Sequence, residues 1–225
     1  MSLSPRYTAI PFRERLTLPF REGLPFRGRL TLPIRGRLAA VVAAVMAVVA
    51  AATIVIGVLV GVQRPLPTAA DALKVALSQV GTTEDAAGGS KFNQWFMSSP
   101  YARAGVERDG GSVGDYANAS WCDMFVTWVG DKAGVKGMGG DAFTPSHARW
   151  FKDQGRWGTV PKPGAVVFFS WSGGGIGDID HVGLVIRDNH DGTIRTVEGN
   201  TDDAVKIRTR GTDSVVGYGY PDYGH

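Results

Sequence analysis

The 225-residue sequence predicts an α+β domain, with helices first and an antiparallel sheet of about five strands after them, preceded by one transmembrane helix. Three observations carry this reading. Residues 38–62 contain no charge. Apolar positions then recur at helical spacing as far as about residue 154. From residue 161 the pattern changes to short apolar runs separated by Gly, Pro and Asp-Gly, the mark of strands joined by turns.

The chain begins with a basic arm, residues 1–37. Eight Arg against Glu14 and Glu22 give it +6 and, from the chain's total of +3, leave −3 on the rest. A degenerate repeat (PFRERL, PFREGL, PFRGRL, PIRGRL) starts at Pro11, Pro19, Pro25 and Pro33. Proline at that frequency blocks a continuous helix, so the arm is expected to be disordered and to attract anionic lipid headgroups. Nucleic acid is the competing partner for such an arm and is not expected here. Residues 38–62 would form about 37 Å of helix, enough to span a bilayer. Arginine before the span and only Arg64 after it place the N-terminus in the cytoplasm and the rest outside the cell. A retained single-pass anchor is expected, with a secreted product if cleavage occurs near Ala70. Residues 63–68 form a stiff linker and 69–225 the exported domain.

That domain is expected to start with a helix over 69–80, burying Leu73, Ala76, Leu77 and Val80 and ending at Gly81. Residues 82–119, rich in Gly, Ser, Asp and Asn, read as a long ordered loop with short helical turns. Ser120 as N-cap and Asp123 as its capping-box partner predict a helix from Trp121 to Ala133, closed by Gly134. A short helix should cover Ser146 to Gln154. The strands follow at GAVVFFSW, His181 to Arg187, Thr193 to Glu198, Ala204 to Thr209 and Val215 to Tyr218, as a meander in which Asp191-Gly192 marks a hairpin.

Cys122 is the only cysteine, so the chain forms no internal disulfide. In the first turn of a helix, free amides and the dipole favour thiolate, which is expected to lower its pKa and make it a nucleophile. A cysteine nucleophile needs a base and a group to orient that base. Among four His, His225 is terminal, His190 sits in a hairpin turn and His147 opens a surface helix, so these three read as solvated. His181 begins a strand after a Gly-rich loop, and either Glu198 or Asn200, at the end of the paired strand, could accept its ring N–H. Trp95, Trp121 and Trp171 are candidates for a groove that stacks on substrate. No Cys/His pair has metal-ligand spacing and no calcium loop is complete, so neither a metal nor another cofactor is expected.

In the order ALSQVG, SWCDMFVTWVGDKAG, PKPGAVVFF, GDIDHVGLVI and TVEGNT, the sequence over Ala69 to Tyr220 resembles the CHAP family, the cysteine, histidine-dependent amidohydrolases and peptidases of the NlpC/P60 papain-like group. The resemblance implies a papain-like fold, Cys122 as nucleophile, His181 as general base and then acid, Glu198 as orienter and Asn200 assisting. It also implies an oxyanion hole that includes the Cys122 amide and, as substrate, an amide bond of bacterial peptidoglycan cut through a thioacyl-enzyme. Asp123 departs from the small residue frequent after the family's cysteine, which bears on the charge at the thiol. The other function class in play is a non-hydrolytic wall-binding or scaffold module of an envelope-spanning conjugation or secretion apparatus, docked through the basic arm.

Overall fold

A computed structural model of the chain describes residues 38–49 and 65–224. The chain divides into two compact units, Met1–Gln63 and Arg64–His225. In the first, residues 38–49 form a helix, α1, with Leu38, Val41 and Val45 exposed. The basic arm lies outside the described residues, as do residues 50–62 of the expected span. Among the described residues no helix is long and apolar enough to cross a membrane.

The second unit opens with α2 (Ala69–Leu77), capped by Thr68, whose hydroxyl accepts from the Asp71 N–H at 3.2 Å while the Asp71 carboxylate accepts from the Thr68 N–H at 2.9 Å. The helix stops at Leu77 rather than Val80. Beyond it the Gly81 N–H donates to the Val205 carbonyl, drawing the chain toward an isolated bridge between Thr83 and Ala204. The expected stripe is also displaced: Ala72 and Ala76 are buried, whereas Leu77 and Val80 are exposed. Small residues there let α2 approach α5 closely.

The segment 82–119 is more regular than its composition suggests. It contains α3 (Lys91–Ser98) and α4 (Pro100–Asp109), followed by a 3-10 turn at Val113–Tyr116. Ser90 and Asn93 cap α3 reciprocally, and Ser99 with Pro100 at the first position starts α4. Asn93 Nδ2 then donates to the carbonyls of Tyr116 (2.8 Å) and Ala119 (2.9 Å), fixing the approach to α5.

Helix α5 (Cys122–Ala133) ends at Gly134, whose φ of 73° needs no Cβ. Its N-cap is Trp121 rather than Ser120, and no side chain caps it. The expected capping box fails because Asp123 turns inward toward another partner. Helix α6 (Thr144–Asp153) begins two residues earlier than expected.

Six strands form one antiparallel sheet: β1 (Trp157–Gly158), β2 (Val166–Phe169), β3 (His181–Asp188), β4 (Thr193–Thr201), β5 (Ala204–Gly211) and β6 (Val215–Gly219), in the order β1-β6-β2-β3-β4-β5. Only β2 to β5 form the expected meander, because β6 pairs with β2 instead of β5. Four inter-strand steps in a flat sheet would separate β5 from β6 by about 19 Å. The Thr212–Ser214 turn between them lets the chain reach at most about 14 Å, so the sheet must curl.

Helices pack on one face of this sheet, burying Phe92, Phe96, Trp121 and Phe125 against Val182, Leu184 and Val197. A smaller cluster on the other face holds Val167, Phe169, Val185, Ile194 and Tyr218. Gly199 permits the contact of β4 with α5: a Cβ there would stand 2.6 Å from Phe125 Cβ and 2.9 Å from the Trp121 ring. Gly183 on β3 likewise leaves room for Glu198, whose Cγ would lie 2.7 Å from an added Cβ.

Candidate active site

Cys122 is the first residue of α5 and is 5% exposed. Its sulfur rests against the backbone of β3, where the Val182 amide, with the amides of Asp123 and Cys122, favours its ionised form. Val182 directly follows His181, so packing α5 on the start of β3 brings the thiol and imidazole segments together. No hydrogen bond joins Sγ to the imidazole among the described residues. Burial and the neighbouring Asp123 charge push the thiol up to about 12, against the pull of the amides. Burial thus opposes the lowering that a helix start would give, while the three amides act with that lowering. A helix terminus contributes at most about 2 kcal/mol, whereas full burial can move a pKa by several units.

His181 is 8% exposed, and its Nε2 lies 2.9 Å from Glu198 Oε2. The ring stacks on Phe169 at 6.1 Å and lies 5.7 Å from the Trp171 ring. With Nε2 engaged by Glu198, Nδ1 is the ring nitrogen turned to the other side.

Glu198 is fully buried, accepting from Thr196 Oγ1, Thr201 Oγ1 (3.1 Å) and twice from Arg210, through Nε (3.0 Å) and Nη2 (2.6 Å). Burial raises this carboxyl, but the hydrogen bonds from His181 and Arg210 outweigh it and hold the group down to about 2. A carboxyl depressed from its ordinary 4.5 stabilises the fold above that pH, and the contribution is lost as pH falls toward 2. Calorimetry between pH 5 and 2 should show a falling melting temperature whose slope is reduced in Glu198→Gln; equal slopes would refute this origin.

No hydrogen bond joins Asn200 to the imidazole among the described residues. Asn200 sits at φ 56° on the irregular end of β4, and with its amide oxygen toward the Trp121 N–H (3.1 Å) and its nitrogen toward Glu84 Oε1 (2.8 Å) it secures the entry to α5. The Trp121 indole donates to the same Glu84 oxygen at 2.8 Å. Asn200 thus acts on the thiol side of the site, through backbone placement.

The three tryptophans separate. Trp171 is 50% exposed beside the imidazole and stacks on Phe169 at 5.0 Å, so it can meet substrate. Trp121 cannot, being fully buried and stacked on Phe92 at 5.2 Å. Trp95 packs beside Phe96 under Lys132, near the C-terminal end of α5 and about 15 Å along that helix from Cys122.

His147 is not solvated. It is fully enclosed, with Nδ1 2.7 Å from Asp123 Oδ1 and Nε2 2.8 Å from the Met138 carbonyl. Asp123 Oδ2 is buried without a partner. His190 is exposed, as expected for a turn residue, and His225 lies outside the described residues.

Arg210, Thr196 and Thr201 were not singled out from sequence. The available signal was period two: Lys206, Arg208 and Arg210 alternate along β5 on the face that Thr196 and Glu198 present from β4, through the pairs Thr196 with Arg208 and Glu198 with Lys206. Which of the three cations reaches Glu198 depends on Asp202, which takes Lys206 and Arg208.

A search of curated proteins finds no match. The model of the CHAP domain family matches residues 112–200, from the approach to α5 through the end of β4. Cys122, His181 and Glu198 all fall within that stretch, which is similar to the CHAP domain.

Proposed function

We propose that the domain hydrolyses an amide bond of peptidoglycan, as an amidase or endopeptidase, through a thioacyl-enzyme. The observation that carries this reading is the His181–Glu198 pair at the start of β3, beside the amide on which the sulfur of Cys122 rests. His181 Nδ1 takes the thiol proton as Cys122 Sγ attacks the carbonyl carbon, and Glu198 steadies the imidazolium. Uncapped first-turn amides of α5, that of Cys122 among them, would receive the oxyanion. Collapse of the tetrahedral intermediate gives the thioacyl-enzyme as His181 returns the proton to the departing amine. Water, activated by the same imidazole, then releases the acid. We further propose that residues 38–62 anchor the chain in the cell membrane with the domain outside, on the side of the wall, because eight Arg precede the uncharged stretch.

One observation favours a second reading, a non-hydrolytic wall-binding module of an envelope machine: the thiol is nearly covered, and its burial opposes ionisation. A single experiment separates them. Purified peptidoglycan incubated with the protein should release fragments whose masses identify the amide cut, and prior alkylation of the sole thiol by iodoacetamide should stop release. Equal release before and after confirmed alkylation rules out the thiol mechanism; no release from either favours the binding module.

A further inference from the structure

Arg210 is the residue on which both sides of the imidazole converge. Its guanidinium donates to each oxygen of the Glu198 carboxylate and also lies 4.9 Å from the centroid of the Trp171 ring. Trp171 is in turn stacked on Phe169 and close to the His181 ring. One cation therefore grips the group that holds the imidazole from β4 and the ring that covers it from the loop after β2. A planar fork is needed for this, because two parallel N–H bonds fix the carboxylate plane while the flat face rests on the indole. Thr196, Thr201 and His181 also hold Glu198, each through a single bond to one oxygen, whereas Arg210 alone among its partners grips both oxygens at once.

We propose that Arg210 is a positioning residue of this site, locking Glu198 and Trp171 around His181 and sharing the carboxylate's charge with the imidazole. The inference rests on the hydrolase reading for its kinetic consequence but not for its electrostatic one. The ionisable groups around His181 are Glu198 and Arg210 from the sheet, Asp123 from α5, whose neighbour Cys122 lies against Val182, and the adjacent Asp180, whose carboxylate accepts from the Trp171 N–H. Of these, Arg210 is the only permanent cation. Removing it leaves the carboxylate's charge undivided for the imidazolium, so His181 should bind its proton more tightly.

The test compares Arg210→Gln and Arg210→Lys with the unaltered protein in two readouts. The first is the titration of the His181 ring followed by NMR without substrate. Its midpoint should move up by about one pH unit in Arg210→Gln and stay near the original in Arg210→Lys. The second is the acid limb of kcat/KM on purified peptidoglycan, which should follow the same shift, with kcat about tenfold or more lower in both variants because lysine cannot reproduce the fork. A folded Arg210→Gln protein with an unmoved His181 midpoint overturns the proposal, even if its activity falls. If that variant does not fold, Arg210→Lys decides: original kcat overturns the proposal, and reduced kcat at an unshifted acid limb supports it. Absence of hydrolysis by the unaltered protein would instead sink the hydrolase reading, while the NMR titration would still test the grip of Arg210.

Discussion

Cys122→Ala should lower peptidoglycan release by at least about 10⁴-fold while leaving the melting temperature almost unchanged. The two halves of this expectation have separate physical origins. Turnover requires a bond between Sγ and the acyl carbon, and no other side chain at the start of α5 can form it. Stability depends little on that sulfur, because its removal empties about one atom's volume at a site that already touches solvent, a loss of about 1 kcal/mol. Turbidity clearing and fragment mass spectrometry read the first effect, and thermal denaturation reads the second. A variant that clears walls at the original rate would end the covalent mechanism.

His147→Ala should do the reverse, with a large loss of stability. The Asp123 carboxylate already has one oxygen without a partner, and this change strips the other. It also opens a hole beside Phe151 and Phe168, whose ring centroids lie 5.1 and 5.6 Å from the imidazole. Breaking a buried pair from one side costs about 3–5 kcal/mol. For a domain of this size that corresponds to a melting temperature lower by about 6–20 °C. Burial, only partly offset by His147, raises the Asp123 carboxyl. Burial lowers the His147 imidazole, but the charge and hydrogen bond of Asp123 and the Met138 carbonyl outweigh it, so its net shift is upward. Both groups therefore hold protons more tightly folded than unfolded. The His147 contribution is complete below its ordinary 6.5 and is lost as pH rises through its folded value. Melting temperatures measured from pH 6 upward should thus fall more steeply in the unaltered protein than in His147→Gln, and parallel curves would refute this account.

What the sequence revealed and what it hid divide along physical lines. Strands β2 to β6 were legible because turn residues and apolar runs are local signals, whereas the two-residue β1 carries no such run; His181 stood out because it opens a strand after a glycine-rich loop. The place of β6 was not, since pairing with β2 depends on how far the sheet curls. Helices α3 and α4 were hidden by polar composition, although Ser90 with Asn93 and Ser99 with Pro100 are start signals when read position by position. His147 looked like a surface residue because its partner, Asp123, lies 24 positions away. The surroundings of Cys122 were half legible for a related reason: a helix start is visible in sequence, but the burial that opposes its effect on the thiol is a property of the packed domain.

The hub at Glu84 has a consequence for where this domain begins. The family match starts at residue 112, yet the indole of Trp121 and the amide of Asn200 are both moored to a carboxylate 28 positions upstream of that boundary. A fragment trimmed to the matched span would keep every reacting atom and lose the tether that aims the sulfur, along with the aromatic bed that Phe92 and Phe96 supply. A piece that keeps the tether and the bed therefore reaches back at least to Glu84, and one that also keeps the packing of Ala72 and Ala76 reaches Thr68, whose cap starts α2.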